Sequence, residues 1–85
     1  AARALTAALE RLQGVSEWTA EALEGVLRPL ATDLGLKTGD LFMLLRVATT
    51  GRTVSPPLFQ SMELLGRERT LARLEEALAR LRRET

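Results

Sequence analysis

Apolar residues recur three and four positions apart along nearly the whole chain, and glycines and prolines cut that pattern into five helical lengths. Strict alternation of apolar and polar residues never persists, so no strand is predicted and the fold class is all-α, a compact bundle of about five helices. The first length, about Ala2 to Gln13, carries Leu5, Leu9 and Leu12 and stops at Gly14. The second takes Thr19 as N-cap and Glu21 and Glu24 in its early turns, where the helix dipole favours anions. Leu23, Val26, Leu27, Leu30 and Leu34 form its apolar face and Gly35 ends it. Pro29 predicts a kink or a break, because an interior proline removes an N–H and clashes with the carbonyl four residues back.

Asp40 sits where the third helix is expected to begin, with Leu41, Leu44, Leu45 and Ala48 as its buried stripe and Gly51 as its stop. Ser55 then reads as the N-cap of a short fourth helix with Pro56 at its first position, ending at Gly66. Leu58, Phe59, Met62 and Leu65 share one face of that helix and are expected in the core, as is Trp18 ahead of the second helix. The last helix, Arg67 to about Arg83, repeats Leu71, Leu74, Leu78 and Leu81, spaces Glu76 to pair with Arg80, and places Arg82 and Arg83 at its negative dipole end. Its leucine stripe covers under two heptads, which favours core packing over a coiled-coil seam.

Composition narrows the chemistry. With 85 residues the chain is one domain near the lower size limit for a self-sufficient core, expected to be a piece of something larger. There is no cysteine and no histidine, which removes disulfides, thiolate metal sites and the commonest metal ligand and general base. No apolar run approaches the roughly 18 residues of a bilayer span, and the start lacks a signal pattern, so no membrane partner and a cytoplasmic location are expected. The formal charge is only +1, yet all of the twelve basic residues except Lys37 are arginines, the planar cation suited to phosphates and bases.

No nucleophile and base pair, metal constellation or phosphate-cradling glycine loop is present, so the chain is expected to be non-catalytic by itself and to hold no cofactor. What remains is binding. Phe42, Arg46 and Thr50 stand one turn apart on what the spacing predicts to be the exposed side of the third helix. That stripe suits an unstacked base, which takes a flat group against its face and donors at its edge; the alternative is that Phe42 packs and Arg46 is a surface ion-pair partner. The stiff corner Ser55-Pro56-Pro57-Leu58 is a second candidate, or else simply a capped helix start.

The strings Trp18-Thr-Ala-Glu, Leu34-Gly-Leu-Lys-Thr-Gly, Leu45-Arg-Val-Ala-Thr-Thr-Gly51, Ser55-Pro-Pro-Leu-Phe59 and Leu64-Leu-Gly-Arg-Glu-Arg closely resemble, in order and spacing, the C-terminal anticodon-binding subdomain of bacterial-type glutamyl-tRNA synthetases. The resemblance covers nearly everything from Trp18 onward; the first 17 residues match only as a generic helix. It implies a helical bundle that follows a class I catalytic domain and helps hold the splayed anticodon of glutamate tRNA, or of both glutamate and glutamine tRNAs. By this resemblance Arg46 approaches the anticodon bases, Thr50 and Gly51 lie beside it, and Ser55, Pro56 and Leu58 belong to the turn that contacts them. Many members have glycine where this chain has Pro57, so a main-chain N–H contact from that position is absent here. ATP and Mg2+ are expected in the catalytic domain, outside this chain. A helical protein-interaction module using the Leu71 to Leu81 seam, or a helix-turn-helix DNA reader using the last two helices, are the alternatives; the second lacks Asn and Gln on its final helix for base edges.

Overall fold

The computed structural model describes residues 2–51 and 57–84, and within them five helices and no strand. These are α1 (Ala2–Gln13), α2 (Ala20–Leu34), α3 (Thr38–Thr50), α4 (Leu58–Leu65) and α5 (Arg67–Glu84). α5 runs back across α1, α3 and α4, while α2 packs against α1, α3 and α4. One apolar core joins all five, with Leu5 and Leu12 from α1, Leu23, Leu27 and Leu30 from α2, Leu41 and Leu45 from α3, Met62 from α4 and Leu74 from α5 removed from solvent. Each such side chain contributes roughly 1.5–3 kcal/mol relative to exposure. Leu74 and Leu78 are buried and Leu71 and Leu81 packed against the same core, so the α5 stripe is spent inside the fold and offers no free seam to a partner. No helix is long and apolar enough to cross a membrane among the described residues.

The start of α2 is doubly capped. The Thr19 hydroxyl accepts from the Ala22 N–H at 3.2 Å, and the Glu63 carboxylate, reaching from α4, accepts from the Ala20 N–H at 2.5 Å. A carboxylate at that end also faces the positive pole of the helix. Trp18, half-buried just before the cap, donates Nε1–H to the Met62 carbonyl at 2.8 Å, and the Arg67 guanidinium lies over its ring, 5.1 Å from the centroid, while donating to the Val15 carbonyl. The α1–α2 loop is thus tied to the α4–α5 corner.

Three boundaries differ from the expectation. Pro29 does not break α2, which continues from Ala20 to Leu34; Gly25, the residue whose carbonyl loses its partner, and Pro29 are both on the exposed side, where water can satisfy that carbonyl. α3 starts two residues before Asp40, after Lys37, with no side-chain cap; Asp40 lies in the first turn, where its charge complements the dipole. α4 begins at Leu58 after Pro57 and not at Pro56. A residue preceding a proline is disfavoured in the helical region, so Pro56 is a poor first helical residue when Pro57 follows. The predicted cap Ser55 lies outside the described residues.

The link from α4 to α5 is the single residue Gly66, at φ 85° and ψ 165°, a region essentially reserved for glycine. A Cβ there would meet nothing within 4 Å, so the demand for glycine is conformational and not steric crowding. We expect Gly66→Ala to lower stability by about 1–3 kcal/mol in chemical denaturation. Gly25→Ala, at an exposed helical site with equally open space, is expected to raise it by roughly 0.5–1 kcal/mol. Equal effects of the two substitutions would show that the corner does not constrain the fold.

Candidate nucleic-acid interface

The solvent face of α3 is not the one its sequence suggested. At 100° per residue the buried centre of the helix runs through Leu41, Leu45 and Thr49, and the opposite face carries Met43 and Val47, 43% and 42% exposed. The stripe Phe42, Arg46, Thr50 lies along one flank, half-buried throughout. The expectation failed because α3 is apolar on nearly all sides, so its sequence pattern locates the core direction poorly; Leu44 and Ala48, placed at the centre, are half-buried on the other flank. Met43 and Val47 were missed for the same reason.

On the first flank Phe42 meets Phe59 of α4 edge to face, with ring centroids 5.0 Å apart, and the Arg28 guanidinium of α2 lies 5.5 Å from the Phe42 centroid. Arg28 is itself steered by Glu24 one turn earlier, at 2.5 Å. Arg46 follows Phe42 by one turn. Its Nε is buried and has no hydrogen-bond partner, an unusual condition for a group whose unmet desolvation costs about 1–3 kcal/mol or more. The Arg46 carbonyl is occupied from within the helix: the Thr50 hydroxyl donates to it at 2.6 Å and the Thr49 hydroxyl more weakly at 3.4 Å. Thr49 is buried and gives its main bond to the Leu45 carbonyl at 2.8 Å. Thr50 therefore serves the helix end first, not as a hydroxyl turned wholly outward.

Gly51 takes a left-handed conformation, φ 75°, and returns its N–H to the Val47 carbonyl at 2.8 Å, closing α3. Ser55 and Pro56 lie outside the described residues. Leu58 has its side chain in the core at 3% exposure, so what that position presents outward is main chain. The N–H groups of Leu58, Phe59 and Gln60 precede the first helical bond of α4, from the Ser61 N–H to the Pro57 carbonyl at 3.0 Å. Arg46 and the start of α4 thus share one flank of α3.

The second flank and the carboxyl end of α3 form an open groove of about 410 Å3 with α5. Val47, Thr50 and Gly51 line one wall, Arg73, Ala77 and Arg80 the other, and Leu5 and Leu44 the floor. Arg73 was not singled out by its sequence position. Its Nη1 donates to the Thr49 carbonyl at 2.6 Å, supplying a cation at the negative end of α3, where four carbonyls lack helical partners. Among the described residues no group of three or more metal-ligating side chains comes together.

Arg73→Gln is expected to lower stability by about 1 kcal/mol and to loosen the last turn of α3, seen as faster amide exchange at residues 49–51, with α1 and α2 unaffected. Unchanged exchange there would remove Arg73 from the support of this helix end.

The sequence matches the family described as "Anticodon binding domain" over residues 1–78. Among curated proteins, the chain is similar to the glutamate–tRNA ligase of Dehalococcoides mccartyi, 54% identical over 78 residues, which is 92% of this chain and 16% of that protein. It is similar to the enzyme of the same name from Roseiflexus castenholzii, 55% identical over 76 residues, 89% of this chain and 15% of the relative. A third, from Acidothermus cellulolyticus, is 55% identical over 80 residues, 93% of this chain and 16% of the relative. The chain therefore spans about a sixth of the length of these relatives. A family match over nearly all of its residues means that the chain belongs to the anticodon-binding domain family.

Proposed function

We propose that this domain reads the anticodon loop of glutamate tRNA as the anticodon-binding part of a glutamate–tRNA ligase, whose catalytic part, with ATP and Mg2+, lies outside these residues. The observation that carries the reading is Arg46, with an unpartnered buried Nε one turn beyond the Phe42–Phe59 pair. An unstacked base brings a flat π-face and edge acceptors, and a guanidinium can stack on the first and donate to the second. Thr50 and Gly51 hold the helix end that carries Arg46, while Ser55, Pro56 and Leu58 are assigned to the turn that contacts the bases. The family assignment and the identity to glutamate–tRNA ligases support the class of nucleic acid and its tRNA.

Arg46→Ala in the full-length protein that carries this domain is expected to weaken recognition of glutamate tRNA by about 1–3 kcal/mol, the scale of one stacked or specific base contact. The measurement is binding of cognate and anticodon-swapped transcripts side by side. Equal losses for both would reduce Arg46 to a phosphate contact and contradict the assignment. The 85-residue chain alone is expected to catalyse no glutamate-dependent ATP–pyrophosphate exchange; exchange by the purified chain would overturn the division of labour proposed here.

A further inference from the structure

Arg69, Arg73 and Arg80 fall within about 40° of one another around α5, counted at 100° per residue, and stretch over about 17 Å at 1.5 Å per residue. All three are exposed. Glu68 and Glu75 lie about 100° or more away around the helix, while Glu84 falls about 40° from Arg80 in the last turn. Glu76 shares the arginine side and holds Arg80 at 2.7 Å, but both side chains are more than half exposed, and a guanidinium with five N–H donors can keep a carboxylate and take a phosphate together. This ridge borders the α3–α5 groove, and the groove's other wall contains Thr50 and Gly51, at the same helix end that carries Arg46.

The position poses an electrostatic problem that the ridge resolves. A polyanion approaching Arg46 meets the carboxyl end of α3, the negative pole of that helix. Arg73 covers it through the Thr49 carbonyl, and Arg80 and Arg69 extend the positive field along α5 away from the bases. The net charge of only +1 conceals this asymmetry.

We propose that the α5 ridge and the groove beside it take the phosphate backbone of the RNA whose bases reach Arg46, a sequence-independent contact that orients the loop. It rests on the RNA-binding reading above. Such contacts release counterions, so each one lost flattens log K against log salt by about 0.7 for single-stranded RNA. The test is the salt dependence of glutamate tRNA binding by the full-length protein with Arg69→Gln and Arg80→Gln combined; Arg73 is left intact because it supports α3. The slope is expected to fall by about 1.4 with the ratio of cognate to anticodon-swapped binding unchanged. Arg69→Lys with Arg80→Lys is expected to keep the wild-type slope. Arg3→Gln with Arg11→Gln, removing the same charge from α1, is expected to alter it far less. An unchanged slope in the glutamine variant, or an equal fall in the α1 control, overturns the ridge as a phosphate contact. A wild-type protein that does not distinguish the two transcripts would instead sink the anticodon reading, so the two failures separate.

Discussion

The carbonyl of Met62 is the point on which the fold turns. It accepts from the Trp18 indole at 2.8 Å, from the Gly66 N–H at 3.1 Å and from the buried Thr70 hydroxyl at 3.3 Å, and so joins the α1–α2 loop, the end of α4 and the first turn of α5. Helix ends leave carbonyls without partners, and a buried one must find donors elsewhere. Here the donors come from three separate segments. The single-residue link at Gly66 can bend as it does only with glycine's freedom, and the Met62 carbonyl holds the bend in place. Because that corner fixes where α5 leaves α4, it also fixes how α5 crosses α1 and α3.

From that crossing follows the geometry of the interface. α3 is clamped by α4 on one flank, through Phe42 and Phe59, and by α5 on the other, through Arg73 and the Thr49 carbonyl. Its carboxyl end is left between them. An arginine with an unsatisfied Nε on the first flank and a row of arginines on the second surround one helix terminus, the kind of site where a base and its phosphates can be addressed by different side chains. The face of α3 opposite the core carries instead Met43 and Val47, with Asp40 in the first turn of the same face.

The helices themselves were legible because each has a strong signal: leucines at helical spacing, Thr19 before α2, and Gly35, Gly51 and Gly66 after α2, α3 and α4. Where the reading slipped, the local rule was weaker than its neighbour. The Ser-Pro pair promised a helix start at Pro56, but a second proline at Pro57 moved it to Leu58. Pro29 offered a kink or a break, and α2 runs on through it without a break, with Gly25 and Pro29 both on the exposed side. Arg46 was singled out by its helical spacing and by its place in a motif, whereas its setting, on a half-buried flank with its Nε unpaired, depends on α4 packing that no local pattern encodes. Arg73 left no mark in the sequence at all, since a contact spanning 24 residues to a backbone carbonyl has no side-chain partner to covary with or to space against. The arginine side of α5 could have been seen by sorting its charges by angle instead of summing them.

The central claim is that RNA meets this domain at the carboxyl end of α3, with Arg46 on one flank and the α5 ridge on the other. Hydrogen exchange of the full-length protein with and without glutamate tRNA tests it most directly, because it reads every segment at once. The account predicts protection concentrated in residues 46–51, at the start of α4, and along 69–80, with α1 and the first turns of α3, through Met43, unchanged. Protection centred on α1 or on the first turns of α3, with residues 46–51 unaltered by the tRNA, would contradict it.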